Sequence, residues 1–188
     1  MIDSLCDRAG KENIVVAGIY CDFLSEQEQT TTNIMGSILK QLIGRWEIPY
    51  YLRNAFHKAE MELDSRGPPL VDLMEMLKTA IASLPRVFIC LDALDECLPT
   101  HLPRLLDSLR VIVRDSPKTR VFLTGRPHVR ENVQRYFPKA VVIPISPNTD
   151  HIRDYVEMRL DRDPEPEAMS EDLRAGIMKV ILEKASEL

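Results

Sequence analysis

Three carboxylates leave a single apolar run. In "RVFICLDALDEC", residues 86–97, the five apolar residues Val87 to Leu91 lead into Asp92, and Asp95 and Glu96 follow within four positions. An isolated carboxylate at a dry strand end is costly and neighbouring carboxylates repel, so the pattern calls for a cation or a facing arginine. Mg²⁺ answers that need, because it takes oxygen ligands and retains waters held by one or two carboxylates while phosphates complete its shell. The chemistry implied is transfer of a terminal phosphate to water. Asp92 would hold a magnesium-bound water, Asp95 or Glu96 would orient the attacking water, and Arg126 would meet phosphate oxygens with its planar fork. Arg126 follows Thr124 and Gly125 in "TRVFLTGRPH", and Thr124 is the second cofactor-binding candidate beside Arg126. A plainer alternative uses no ligand: Asp92 ends a strand, and Asp95 and Glu96 set negative charge near a helix start. Arg126 before a proline is then a surface residue.

Other candidates carry less. His57, His101, His128 and His151 have no neighbour at ligand spacing. "RAGKEN", residues 8–13, contains Gly-Lys, but Glu12 stands where a phosphate loop needs Ser or Thr and Leu5 where its first glycine belongs. It reads as a turn. Met74 and Met76 fall at core or boundary positions of a helix.

The elements that must position these residues alternate in type. "IVVAGIYCDF" (14–23), "RVFICLD" (86–92), "TRVFLTG" (119–125) and "KAVVIPIS" (139–146) are short, β-branched and nearly continuously apolar, as buried strands are. Between them, "TTTNIMGSILKQLIGRW", "PPLVDLMEMLKTAIASL" and "THLPRLLDSLRVIVRD" carry apolar residues at helical spacing. The first has Asn33 or a neighbouring threonine as its N-cap. Residues 47–67 read as a further helix or helix pair. Strands alternating with helices predict a parallel sheet with right-handed crossovers. Every strand of such a sheet delivers its carboxyl end to one edge, which brings Asp92 and Thr124 to Arg126 onto one crevice.

Beyond residue 147 the character changes to a capped amphipathic helix, "NTDHIRDYVEMRL", an acidic proline-bearing linker at 161–167, and a last helix whose apolar positions run on without a Gly or Pro stop. The organisation expected is an α/β core over 1–147 and the start of a truncated helical appendage over 148–188.

The 188 residues carry a net charge of −5 and a pI near 5.4, which gives no basic footprint for nucleic acid or anionic lipid. Neither partner is expected. The four cysteines lack C-x-x-C pairing, and neither an exported leader nor a membrane-length apolar run is present. A reduced, cytoplasmic protein is the expectation.

"VFICLDALDEC" resembles the Walker B segment of the NACHT-type NTPases of the STAND class, and "TRVFLTGRPH" resembles their sensor strand, which ends in Thr/Ser-Ser/Gly-Arg-Pro. "YCDF" with "TTTNIMGSILKQLI", and later "IPISPNTDHIRDYVEMRL", are similar to the nephrocystin-like modules of fungal multidomain proteins. The resemblance spans about residues 1–160. It implies a P-loop NTPase-like, three-layer sheet that binds Mg²⁺ with ATP or GTP and signals through self-association, often ahead of ankyrin or WD-type repeats. It gives Asp92 the magnesium role, Asp95 and Glu96 the water-activating role, and Arg126 the phosphate-sensing role. Ala93 stands where many relatives have glycine.

The departure is the phosphate loop: no G-x-x-x-x-G-K-[ST] occurs in the sequence. The resemblance makes "MIDSLCDRAG" the end of the helix that follows that loop, and the expectation is weak or no nucleotide binding by this chain alone. In the family the loop-bearing strand lies between the strands equivalent to 119–125 and 139–146, so its loss leaves exposed edges and predicts poor solubility. Pro144 suits an edge strand. A non-enzymatic interaction module with a degenerate NTPase fold is the main rival. A phosphoacceptor receiver ranks last, since "VVIPISP" lacks the lysine it needs.

Overall fold

A computed structural model describes residues 13–25, 28–45, 68–145, 148–163 and 169–186, with isolated positions at 5, 7, 50, 54 and 57. Apart from those isolated positions and Asn13, the helix or helix pair expected at 47–67, the turn at 8–13 and the helix end expected in "MIDSLCDRAG" lie outside the described residues. The chain divides into two compact units, Met1–Ala140 and Val141–Leu188.

In the first unit, β1 (Val15–Tyr20), β2 (Val87–Asp92) and β3 (Thr119–Leu123) form a parallel sheet in the order β1-β2-β3. The register sets Val15 opposite Val87 and Val87 opposite Thr119, so odd-numbered residues of all three strands share one face. That face is the core. Val15, Ala17, Val87, Ile89 and Leu91 join the buried residues of α1 (Thr31–Arg45), α2 (Leu70–Ala82) and α3 (Leu102–Asp115) in one cluster. On the even face Val16 and Cys90 are buried, while Phe88 and Phe122 stack with ring centroids 6.1 Å apart and Phe122 stays part-exposed.

The helices follow their apolar spacing. Leu73, Leu77, Ala80 and Ile81 form the buried stripe of α2, and Leu102, Leu105, Leu106, Leu109 and Ile112 that of α3. Each fully buried leucine contributes about 1.5–3 kcal/mol relative to exposure. Thr30 caps α1, its hydroxyl accepting from the Asn33 N–H at 3.2 Å, while the Asn33 amide donates to the Glu28 carbonyl. The predicted threonine cap is the one realised. Pro103 sits in the first turn of α3, where a missing N–H costs nothing. α4 (Arg130–Tyr136) follows β3.

One strand stops sooner than its apolar run predicts, and another does not form. After Tyr20, Cys21 donates one more ladder bond to Asp92, and then Asp22 turns the chain by accepting from the Leu24 N–H at 3.0 Å. Phe23 and Leu24 are left exposed. The fourth strand, expected over 139–146, is corrected: residues 139–145 carry no strand structure, and Val141, Ile143 and Ile145 are exposed. β-branched composition suits a pleated, half-buried surface but supplies no hydrogen-bonding neighbour, and Pro144 cannot donate at all.

In the second unit, α5 (Thr149–Asp161) is capped by Asn148, whose side-chain oxygen accepts from Asp150 and His151 at 2.9 and 3.3 Å. α6 (Glu171–Ser186) packs on it, and Arg174 pairs with Asp161. Among the described residues no helix is long and apolar enough to cross a membrane.

Candidate functional site

The parallel register carries the ends of β2 and β3 to one rim. Thr124 stitches them together: its N–H donates to the Leu91 carbonyl at 3.0 Å and its carbonyl accepts from the Leu94 N–H at 2.9 Å. Its hydroxyl accepts from the Ala93 N–H at 3.0 Å and donates to the Asp92 carboxylate. Thr124 therefore aims Asp92. Between them Ala93 is held at φ 55°, ψ 50°, the left-handed region that glycine enters freely and alanine only with strain.

The other two carboxylates each have a partner. Asp95 Oδ1 accepts from the Arg126 N–H at 3.1 Å, and its Oδ2 lies 3.3 Å from the Arg126 Nε. The Asp95 side chain is 9% exposed, whereas that of Arg126 is 77% exposed, so the pair has one dry member and one that faces water. Gly125 makes the approach possible: a Cβ there would stand 2.9 Å from Val129 Cγ2 and 3.3 Å from Asp95 Oδ1. Glu96 turns away, and its Oε2 accepts from the Phe23 N–H at 3.0 Å. The three charges are thus separated among a hydroxyl, a guanidinium with its own amide, and the amide of a neighbouring turn.

A cysteine pair lies behind this rim. Cys21 and Cys97 are 6% and 4% exposed, with their sulfurs 2.9 Å apart. The hydrogen bond they share pushes the Cys21 thiol well above its ordinary value, with burial adding to the effect, and holds Cys97 below its own. Composition offered no sign of this contact. The usable signal was positional, since each cysteine follows the end of one of two adjacent strands.

All five sequence-derived candidates lie on one rim: Asp92 bonds to Thr124, Asp95 pairs with Arg126, and Glu96 reaches the turn after β1. Among the described residues no group of three or more His, Cys, Asp or Glu could form an all-protein metal cage. One half-buried, pre-aimed carboxylate is still the donor set that suits Mg²⁺, which keeps its waters and shares its shell with phosphates.

The profile of the nephrocystin 3 N-terminal family matches residues 1–126. The chain belongs to the nephrocystin 3 N-terminal family. A comparison with curated proteins finds no match. Among solved structures, the Orc1 protein of Aeropyrum pernix, determined in complex with DNA, is similar with a TM-score of 0.53 at 19% identity. The alignment covers 87% of this chain and 41% of that one, so the chain spans less than half of its structural neighbour. For this nephrocystin 3 N-terminal chain the fold is a parallel sheet flanked by helices, similar to that of the Orc1 chain.

Proposed function

We propose that residues 1–147 are the partial core of a NACHT-type nucleoside triphosphatase of the STAND class, and that 148–188 begin a helical appendage whose packing reports nucleotide state. The observation that carries this reading is the shared rim, with Asp92 aimed by Thr124 beside an exposed arginine. Here "RVFICLDALDEC" is the Walker B segment and Arg126 the sensor arginine. Asp92 would hold the hydrated Mg²⁺ ion, which would supply charge neutralisation to the phosphates when bound. Asp95 or Glu96 orients the attacking water. The Asp95–Arg126 pair is the resting arrangement: a phosphate oxygen competes for the guanidinium, which frees the Asp95 carboxylate to accept from water. Signalling proceeds through self-association, and repeats such as ankyrin follow in the parent protein.

The sequence contains no phosphate loop, so the phosphates need a cradle from another segment. The edge of β3 away from β2 has no partner strand among the described residues and offers such a segment a place in the sheet. The structural neighbour was determined with DNA, which stands partly against the expectation of no nucleic-acid partner. A net charge of −5 supports a mononucleotide over a polynucleotide as ligand.

A second reading, a non-enzymatic interaction module on a degenerate NTPase fold, is favoured by the engagement of Asp95 and Glu96 with backbone amides. Calorimetric titration of MgATP and MgGTP into the chain extended through the sequence encoded upstream of Met1 separates the two. The enzymatic reading expects saturable binding that Asp92→Asn weakens at least about tenfold, a loss of about 1.4 kcal/mol. Binding indifferent to Asp92→Asn, or an upstream sequence without a phosphate loop, favours the scaffold.

A further inference from the structure

We propose that Cys21 and Cys97 form an oxidation site, at which hydrogen peroxide converts the buried dithiol to an intramolecular disulfide that ties the end of β1 to the turn bearing Asp95 and Glu96. The argument is geometric. Two sulfurs in ordinary contact stand well apart, yet these are 2.9 Å from one another, and bonding length is about 2.05 Å. The backbone already holds the partners in place, because the Cys21 N–H donates to the Asp92 carbonyl at 3.0 Å and the Cys97 N–H to the Leu94 carbonyl at 3.3 Å.

Access is limited but present. Cys21 and Cys97 keep exposed fractions of 6% and 4%, one residue from exposed Asp22 and two from exposed Pro99, so the oxidant chosen is small peroxide rather than a bulky disulfide reagent. Cys90 is buried in mid-strand, whereas Cys21 and Cys97 meet sulfur to sulfur. The chemistry balances. One thiolate attacks peroxide, the O–O bond breaks, and a sulfenic acid and hydroxide form. The second thiol then displaces the sulfenic oxygen as water, forming the S–S bond. The dithiol loses two electrons and two protons, and one peroxide becomes two waters. A cytoplasmic thiol pool returns the pair to its resting dithiol state.

The bond would close a loop between positions 76 apart. Glu96, one residue before Cys97, accepts from Phe23, two residues after Cys21, so the bond and the hydrogen bond brace the same turn. The inference stands apart from the nucleotide reading, since its readout is chemical.

Folded protein is treated with peroxide, quenched, alkylated under denaturing conditions and mapped by mass spectrometry of proteolytic peptides. The result expected is loss of two hydrogens per chain, a Cys21–Cys97 linked peptide that dithiothreitol abolishes, and a Tm rise on the order of 10 °C. Cys97→Ser should abolish the link and the Tm rise together. If that variant fails to fold, the wild-type peptide map still decides. Full alkylation of Cys21 and Cys97 after treatment, or linkage to Cys6 or Cys90 instead, would overturn the proposal.

Discussion

Ala93 shows how the rim is built at the scale of one residue. It is the non-glycine residue with positive φ among those described, and it sits between Asp92 and the turn that carries Asp95 and Glu96. Left-handed alanine costs about 1–2 kcal/mol, partly offset by the lower entropy of its unfolded state. Ala93→Gly should therefore stabilise the protein by about 0.5–1 kcal/mol in urea unfolding, and Ala93→Val should destabilise it by about 1–3 kcal/mol. A less stable Ala93→Gly variant would mean that the strain is absent. Gly125 is the opposite case, since its missing Cβ is what lets Asp95 approach. Gly125→Ala should cost about 1–3 kcal/mol, because buried, β-branched Val129 has little freedom to yield. Adding Val129→Ala should recover part of that loss in a double-mutant cycle. Thr124→Val should cost about 1–3 kcal/mol by stranding the Ala93 N–H and the Asp92 carboxylate, while Thr124→Ser should recover most of it. At this scale, residue types and the end of β2 at Asp92 were legible in the sequence. The partners were not: Thr124 reads as a ligand contact, yet its hydroxyl is already used in aiming Asp92, and hydrogen-bond partners of this kind depend on a register that one strand's sequence does not contain.

At the scale of elements, the two outer strands of the sheet differ. The outer edge of β1 is closed by Gln41 of α1, whose side-chain amide accepts from the Gly18 N–H and donates to the Gly18 carbonyl, both at 2.9 Å. It stands in for a neighbouring strand. Gln41→Ala should cost about 1–2 kcal/mol and open that edge to other chains. Thermal unfolding measures the first effect and light scattering the second, and unchanged scattering would show that the side chain gives no protection. The existence and order of α1, α2, α3, α5 and α6 and of three strands could be read from periodicity, because most of the stability of such elements comes from burying an apolar stripe, whereas the short α4 buries no residue fully and was missed. The fourth strand could not. Residues 139–146 have strand composition, but a strand exists only where another offers its edge, and among the described residues Val141 to Ile145 have no such partner.

For the whole molecule, the three carboxylates matter as one arrangement of charge. A net-acidic chain places Asp92, Asp95 and Glu96 on a single rim and balances them with one exposed guanidinium and fixed donors. In the function proposed above, that arrangement takes a cation and an anion together, which is the demand a magnesium nucleotide makes. Paramagnetic broadening by Mn²⁺, a hard oxygen-seeking ion like Mg²⁺, tests this most directly when amide signals of the chain extended through the sequence encoded upstream of Met1 are followed with ATP present. The account predicts that signals of Asp92 to Glu96 and Thr124 to Arg126 broaden first and together, and that Asp92→Asn removes the effect while the fold persists. Broadening that begins elsewhere on the acidic surface, or that survives Asp92→Asn, would contradict it.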